Sequence, residues 1–246
     1  MIDTGSHLSA LAADSQAFAD LAEGGLDRAV PTCPDWKVAD LVGHLGGVYS
    51  WVILAVEGGG ERPARSRERA PEDPGALTGW FRGRRDAVID ALTSRPPEDP
   101  AWVFLKGGST ADVAWWRRRQ AQETAIHLYD MESAVGTPGA IDPELAADGI
   151  DEILTVFVAN YPGGRQAAGL DGTLHVHCTD AEGEWMLSFG PSGTEVRREH
   201  GKADTAVRGP ASDLYLWLWN RVPLATESLE VFGRRSVAEA WTEVKL

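Results

Sequence analysis

The apolar residues of this chain change their period near Gly139, and that change bounds what the chain can fold into. Before it they recur at i, i+3, i+4 and i+7, whereas after it short stretches alternate apolar and polar. A helical period does not sit as a strand, nor the reverse, so the sequence divides into an all-helical half and a mixed half.

Four helices are legible in the first half. Leu8, Leu11, Ala12, Ser15, Phe18, Ala19 and Ala22 share one helical face that ends at Gly24-Gly25. After the turn Val30-Pro-Thr-Cys-Pro-Asp-Trp36, Asp35 reads as the N-cap of a second helix, which Gly58-Gly59-Gly60 stops. Residues 57–73 are charged and rich in Pro and Gly, as a solvated loop is. Leu77, Trp80, Phe81, Val88, Ile89 and Leu92 mark a third helix over 74–93, broken by Arg95-Pro-Pro-Glu-Asp-Pro100. A fourth begins at Thr110 or Asp112 and runs to Val135, where Gly136-Thr-Pro-Gly139 ends it. Four such helices make a bundle.

The second half opens with a helix at Asp142-Pro143 that carries Leu145, Ile150, Ile153, Leu154 and Phe157 and ends near Tyr161-Pro-Gly-Gly164. Thr173–Thr179, Glu184–Phe189 and Glu195–Arg198 read as strands, with hairpin loops at Asp180–Gly183 and Gly190–Gly193. Thr205–Gly209 is a further strand and Ala211–Trp219 a helix. The expected fold class is α+β. Residues 1–139 form a four-helix bundle, and residues 140–246 a small α+β domain on an antiparallel sheet.

Charge narrows the function. Acidic residues outnumber basic ones 37 to 23, giving a formal charge of −14, and only four of the basic residues are lysines. Such a surface repels a phosphate backbone, and no polybasic run suits an anionic membrane. No apolar run reaches the roughly 18 residues that span a bilayer, and the N-terminus lacks a basic signal region. The two cysteines, Cys33 and Cys178, allow at most one disulfide. A soluble cytoplasmic protein is expected, without nucleic-acid or membrane partners.

The cysteines do not read as nucleophiles. Cys33 sits between prolines without a histidine beside it in sequence, and Cys178 alternates with His177, so their side chains leave opposite faces of a strand. No phosphate loop, dinucleotide loop or serine elbow stands in a suitable context. The informative set is His44 on helix two with Glu123 and His127 on helix four. Glu123 and His127 are i and i+4, one turn apart on one face. Two ligands from one helix and one from a facing helix make a three-ligand open site that suits Zn²⁺, with Fe²⁺, Mn²⁺ or Ni²⁺ as alternatives. The same residues also read as a surface ion pair and a core histidine, because spacing does not show that helices two and four face each other. His175 and His177 share a strand face without an evident third ligand and read as sheet surface. His7 and His200 look isolated, and Asp151-Glu152 looks like a solvated helix start. Among ten tryptophans, Trp217 and Trp219 read as core, while Trp115-Trp116 suit a pocket border.

Four segments carry a family resemblance. VPTCPDWKVADLVGHLGGVYSWV and RRRQAQETAIHLYDMESAVGTP resemble the opening and metal-helix motifs of the mycothiol-dependent maleylpyruvate isomerase family. IDPELAADGIDEIL and DTAVRGPASDLYLWLWNRVP resemble its C-terminal domain. The resemblance implies a DinB-like metal-binding bundle followed by a sterol-carrier-like α/β domain. By it, His44, Glu123 and His127 match the zinc ligands, and Arg221 matches a catalytic arginine. A second catalytic arginine falls on helix three, at Arg82, Arg84 or Arg85.

The implied cofactors are zinc or another divalent metal and mycothiol, a thiol whose sulfur the metal would ionise at neutral pH. The partners are then mycothiol and a small electrophilic substrate, for a monomer or small homo-oligomer. Addition followed by rotation and expulsion makes an isomerase, and an adduct that stays makes an S-transferase. A thiol-independent zinc hydrolase and a non-catalytic small-molecule-binding module remain as alternatives on the same fold.

Overall fold

Aspartates open four of the helices, because a carboxylate there accepts the backbone N–H groups that the first turn leaves unpaired. Asp3 caps α1 (Thr4–Leu21) through Gly5 and Ser6, and Asp73 caps α3 (Pro74–Thr93) through Gly75. Asp112 caps α4 (Val113–Val135) through Trp115, and Asp142 caps α5 (Pro143–Glu152) through Glu144 and Leu145. The computed structural model describes residues 2–63, 68–105, 110–136, 138–159, 170–190 and 193–244. The expected helix end at Tyr161–Gly164 and the loop residues Pro191 and Ser192 lie outside them. Apart from Leu105, which groups with the second, the described residues divide into two compact units between Gly139 and Ala140.

In the first unit, α1 packs on α4 and α3, and α2 (Val38–Glu57) packs on α3 and α4. Leu11, Phe18, Leu41, Leu45, Tyr49, Phe81, Leu92 and Met131 fill the space between them. Among the described residues, α2 is the one helix long and apolar enough to cross a membrane, and here its apolar face is spent on α3 and α4. Gly46 lets the two helices close up, since a Cβ there would strike the Trp80 ring.

The start of α2 differs from expectation. Asp35 is not its cap: it sits in a turn at φ 70°, a left-handed conformation that Asp tolerates. An antiparallel bridge between Ala29 and Lys37 holds the chain extended through Lys37, so the helix begins at Val38, where Asp40 accepts the Lys37 N–H at 2.9 Å. A short ladder, β1 (Pro100–Trp102) with β2 (Thr110–Asp112), was not foreseen between α3 and α4.

The second unit is a five-stranded sheet in the order β5-β4-β3-β6-β7, with α5, α6 (Ala211–Leu218) and the short α7 (Arg235–Glu239). Strands β3 (Gly172–Cys178), β4 (Glu184–Gly190) and β5 (Gly193–Arg197) form an antiparallel meander. The sheet is not wholly antiparallel. Residues 198–204 carry the chain across to the far side of β3, so that β6 (Thr205–Gly209) runs parallel to it, and β7 (Glu230–Gly233) closes the edge antiparallel to β6. Asp151 and Glu152 are no solvated helix start. The helix carries them inward, to 2% and 1% exposure, where Asp151 accepts from Trp185 Nε1 at 3.0 Å and from Arg198 Nη2 at 2.8 Å.

Candidate metal centre

Helices α2 and α4 face each other and bring three of the expected ligands to one point. His44 Nε2 lies 3.3 Å from Glu123 Oε1, and His127 Nε2 lies 3.4 Å from the same oxygen. One ligand atom from each of the three lies within 4.8 Å of the others. Metal–ligand bonds of about 2.0–2.1 Å at tetrahedral angles put ligand atoms about 3.4 Å apart, so both carboxylate–imidazole edges already have the required length.

The surroundings fix each donor. His127 Nδ1 lies 2.9 Å from Asp130 Oδ2, which leaves Nε2 to point at the centre. Asp130 is fully buried and also accepts from the Thr32 hydroxyl at 2.5 Å and the Cys33 thiol at 3.4 Å. On the other side, buried Arg119 donates from Nη2 to Glu123 Oε2 at 2.6 Å, leaving Oε1 to face the imidazoles. The Trp36 ring lies 5.0 Å from the His44 ring and 6.5 Å from that of His127. The turn at 30–36 thus serves the centre through Thr32, Cys33 and Trp36.

Electrostatics set the charge states of the metal-free centre. Burial acts most strongly on His127 and pushes its pKa down, but the hydrogen bonds the imidazole donates to Asp130 and Glu123 outweigh it and raise the pKa to about 9. Burial likewise pushes Glu123 up. Its charge interaction with Arg119, followed by the hydrogen bonds to His127 and His44, overcomes this and holds the carboxyl well below its usual range. The donor set of two imidazoles and an ionised carboxylate fits a divalent ion such as zinc and leaves a coordination position for another ligand.

Residues 8–132 match the mycothiol maleylpyruvate isomerase N-terminal domain, and residues 144–240 match the MDMPI C-terminal domain. The chain belongs to the mycothiol maleylpyruvate isomerase family. The crystal structure of the mycothiol-dependent maleylpyruvate isomerase is similar at a TM-score of 0.62 and 13% identity, over 94% of this chain and 93% of that one. The structure of a point mutant described by the same name gives 0.60 and 11%, with coverages of 94% and 93%. At those identities the likeness is one of fold. No curated protein sequence matches the chain.

In this member of the mycothiol maleylpyruvate isomerase family, the three arginines of α3 part company. Arg82 donates to Glu23 at 2.7 Å and Asp20 at 3.0 Å, and Arg84 pairs with Glu68 at 2.8 Å. Arg85 is the most enclosed of them. Its Nη1 lies 3.4 Å from the exposed Asp86, and its Nε, like that of Arg84, is buried without a hydrogen-bond partner. Arg221 follows α6 in the other unit, where its Nη1 donates to the Trp219 carbonyl at 3.0 Å. Trp115 and Trp116 join Trp51, Trp102 and Phe104 in an aromatic cluster of the bundle.

Sequence reasoning missed Asp130, Arg119 and Trp36 as partners of the centre. It also misread His200 as isolated and His175 and His177 as plain sheet surface, because their partners, including Glu184, come from separate strands and a crossover. Glu184 Oε2 lies 3.0 Å from His175 Nε2, 3.4 Å from His177 Nδ1 and 2.6 Å from His200 Nδ1.

Proposed function

We propose that this chain is a mycothiol-dependent metalloenzyme, acting through a divalent metal, zinc by preference, held by His44, Glu123 and His127. The reaction is S-transfer to, or cis–trans isomerisation of, a small electrophilic substrate of the maleylpyruvate type. The observation that carries this reading is the convergence of two imidazoles and a carboxylate in a chain whose two halves both match the family. The partners are then mycothiol and the substrate, met in the cytoplasm. The acidic excess of the sequence argues against a nucleic-acid or membrane partner.

A metal bound at these tips would ionise the mycothiol thiol, whose ordinary pKa is about 8.5, and so supply a sulfur nucleophile at neutral pH. The chain's own residues do the rest. Asp130 turns His127 so that Nε2 is presented, and Arg119 keeps Glu123 anionic and aimed through Oε1. Trp36 packs beside the His44 ring, with its centroid 5.0 Å away, and lies further from His127. Arg85 is the α3 arginine best suited to an anionic substrate group, since a guanidinium matches a carboxylate or an enolate oxygen and its pair with Asp86, at 3.4 Å, is looser than those of Arg82 with Asp20 and Glu23 and of Arg84 with Glu68. Arg221 takes the second such role by its match to the family motif.

The test compares wild type with His44→Ala/His127→Ala. The variant is expected to hold one metal equivalent fewer and to lose mycothiol-dependent turnover across a panel of electrophiles that includes maleylpyruvate. Equal metal content and equal turnover in the two proteins would overturn the reading. Ester or amide cleavage by the wild type without any thiol would replace it with a hydrolase on the same centre.

A further inference from the structure

A second group of metal-ligating side chains gathers on one face of the sheet. His175 and His177 leave β3 two residues apart and so share that face. The antiparallel register sets Glu184 of β4 directly opposite His177, which puts its carboxylate on the same side. The fourth member, His200, comes from the crossover between β5 and β6.

That crossover is fastened on both sides of His200. Two residues before it, Arg198 grips the buried Asp151 through Nε and Nη2, at 2.5 and 2.8 Å. One residue after it, Gly201 lies so close over Met186 that a Cβ would meet the methionine Cε at 3.0 Å. Met186 stands opposite His175 in the register and is buried, so it forms the floor under the strap. His200 is therefore delivered to the sheet face by construction, although its side chain is 78% exposed.

The four side chains converge. All three imidazoles meet Glu184 Oε2, at 2.6, 3.0 and 3.4 Å, and one donor atom from each of the four lies within 4.8 Å of the rest. The rings stand edge to face, with interplanar angles of 81°, 85° and 87°, so they are not stacked on one another. Ligands on a tetrahedral zinc lie about 3.4 Å apart, so no gap needs to close by more than about 1.4 Å, and His200, on the exposed strap, has the freedom to turn. Arg208, in register with His177 on β6, reaches towards Glu230 at 3.9 Å.

We propose that His175, His177, Glu184 and His200 form a second metal site, for zinc or a similar divalent transition ion, that ties the 198–204 crossover to β3 and β4. Three imidazoles select such ions over magnesium or calcium, which prefer oxygen. Four protein ligands fill a tetrahedron and leave no position for substrate, so this site holds structure.

The test uses the full chain carrying His44→Ala/His127→Ala, so that metal found there belongs to the second site and the bundle reading is judged separately, from the wild-type difference. Equilibrium dialysis against Zn²⁺ is expected to give about one equivalent. Adding His200→Ala, at an exposed position, lowers the affinity by about tenfold or more, and the near-isosteric Glu184→Gln weakens it as well. Zn²⁺ is also expected to slow tryptic cleavage after Arg197 and Arg198. Binding of less than a small fraction of an equivalent would overturn the proposal, as would binding that His200→Ala and Glu184→Gln leave unchanged.

Discussion

Asp130→Asn isolates what the carboxylate behind His127 does. Asp130 is fully buried, lies 2.9 Å from His127 Nδ1 and accepts from Thr32 and Cys33, so the amide keeps the shape and removes one charge. With metal at His127 Nε2, the Nδ1–H donates to Asp130, and replacing such a partner weakens metal binding by about ten- to a hundredfold. The same carboxylate opposes metal at neutral pH. It helps raise the metal-free His127 to about 9, so at pH 7 the ion must displace a proton, which costs about a hundredfold in apparent affinity. The asparagine variant carries less of that handicap. The two effects therefore oppose each other near pH 7 and separate near pH 9.5, where both proteins present a largely neutral imidazole. Competition against a chromophoric zinc chelator at both pH values measures them, with the melting temperature as a check on folding. The expected loss is about ten- to a hundredfold near pH 9.5 and distinctly smaller near pH 7. An equal loss at both, or none near pH 9.5, would refute the assignment of Asp130.

Arg119→Met removes the cation beside half-buried Glu123, which keeps His44 and His127 at its other oxygen, and should destabilise the metal-free protein by about 1.5–3 kcal/mol, the worth of a hydrogen bond between charged groups. Added metal should restore most of that, so the zinc-induced rise in melting temperature is larger in the variant than in wild type, and an equal rise would refute the pairing. Gly46→Ala drives a methyl into the Trp80 ring and should cost about 1–3 kcal/mol in a thermal melt, where an unchanged midpoint would contradict the helix contact. Cys178 is pushed up to about 12 by burial, so at pH 8 its thiolate is only about one part in ten thousand. Mass spectrometry after alkylation should find it unmodified in the native protein and modified in denaturant.

What the sequence disclosed of this fold and centre follows from the range over which each signal acts. Helical period and Gly/Pro breaks are local, and they placed α1 to α4 and the opening of α5 at Asp142-Pro143 from neighbouring residues alone, while leaving the start of α4 between Thr110 and Asp112. The start of α2 escaped because a bridge to Ala29 displaced the helix start from the expected Asp35 cap. The i, i+4 spacing gave Glu123 and His127 one face, but only the packing of α2 on α4 shows that His44 meets them. Asp130 lies three residues after His127, so its reach to Nδ1 was within the helical geometry, and what hid it was that acids on helices are usually solvated. The sheet cluster was hidden for a topological reason. The β3–β4 hairpin brings Glu184 opposite His177, while His200 arrives through a crossover that also makes β6 parallel to β3, a reversal that alternation in a strand does not encode. A histidine pair on a strand should accordingly be weighed against every chain segment able to cross that face, because the ligands missing from the sequence neighbourhood are supplied by the topology.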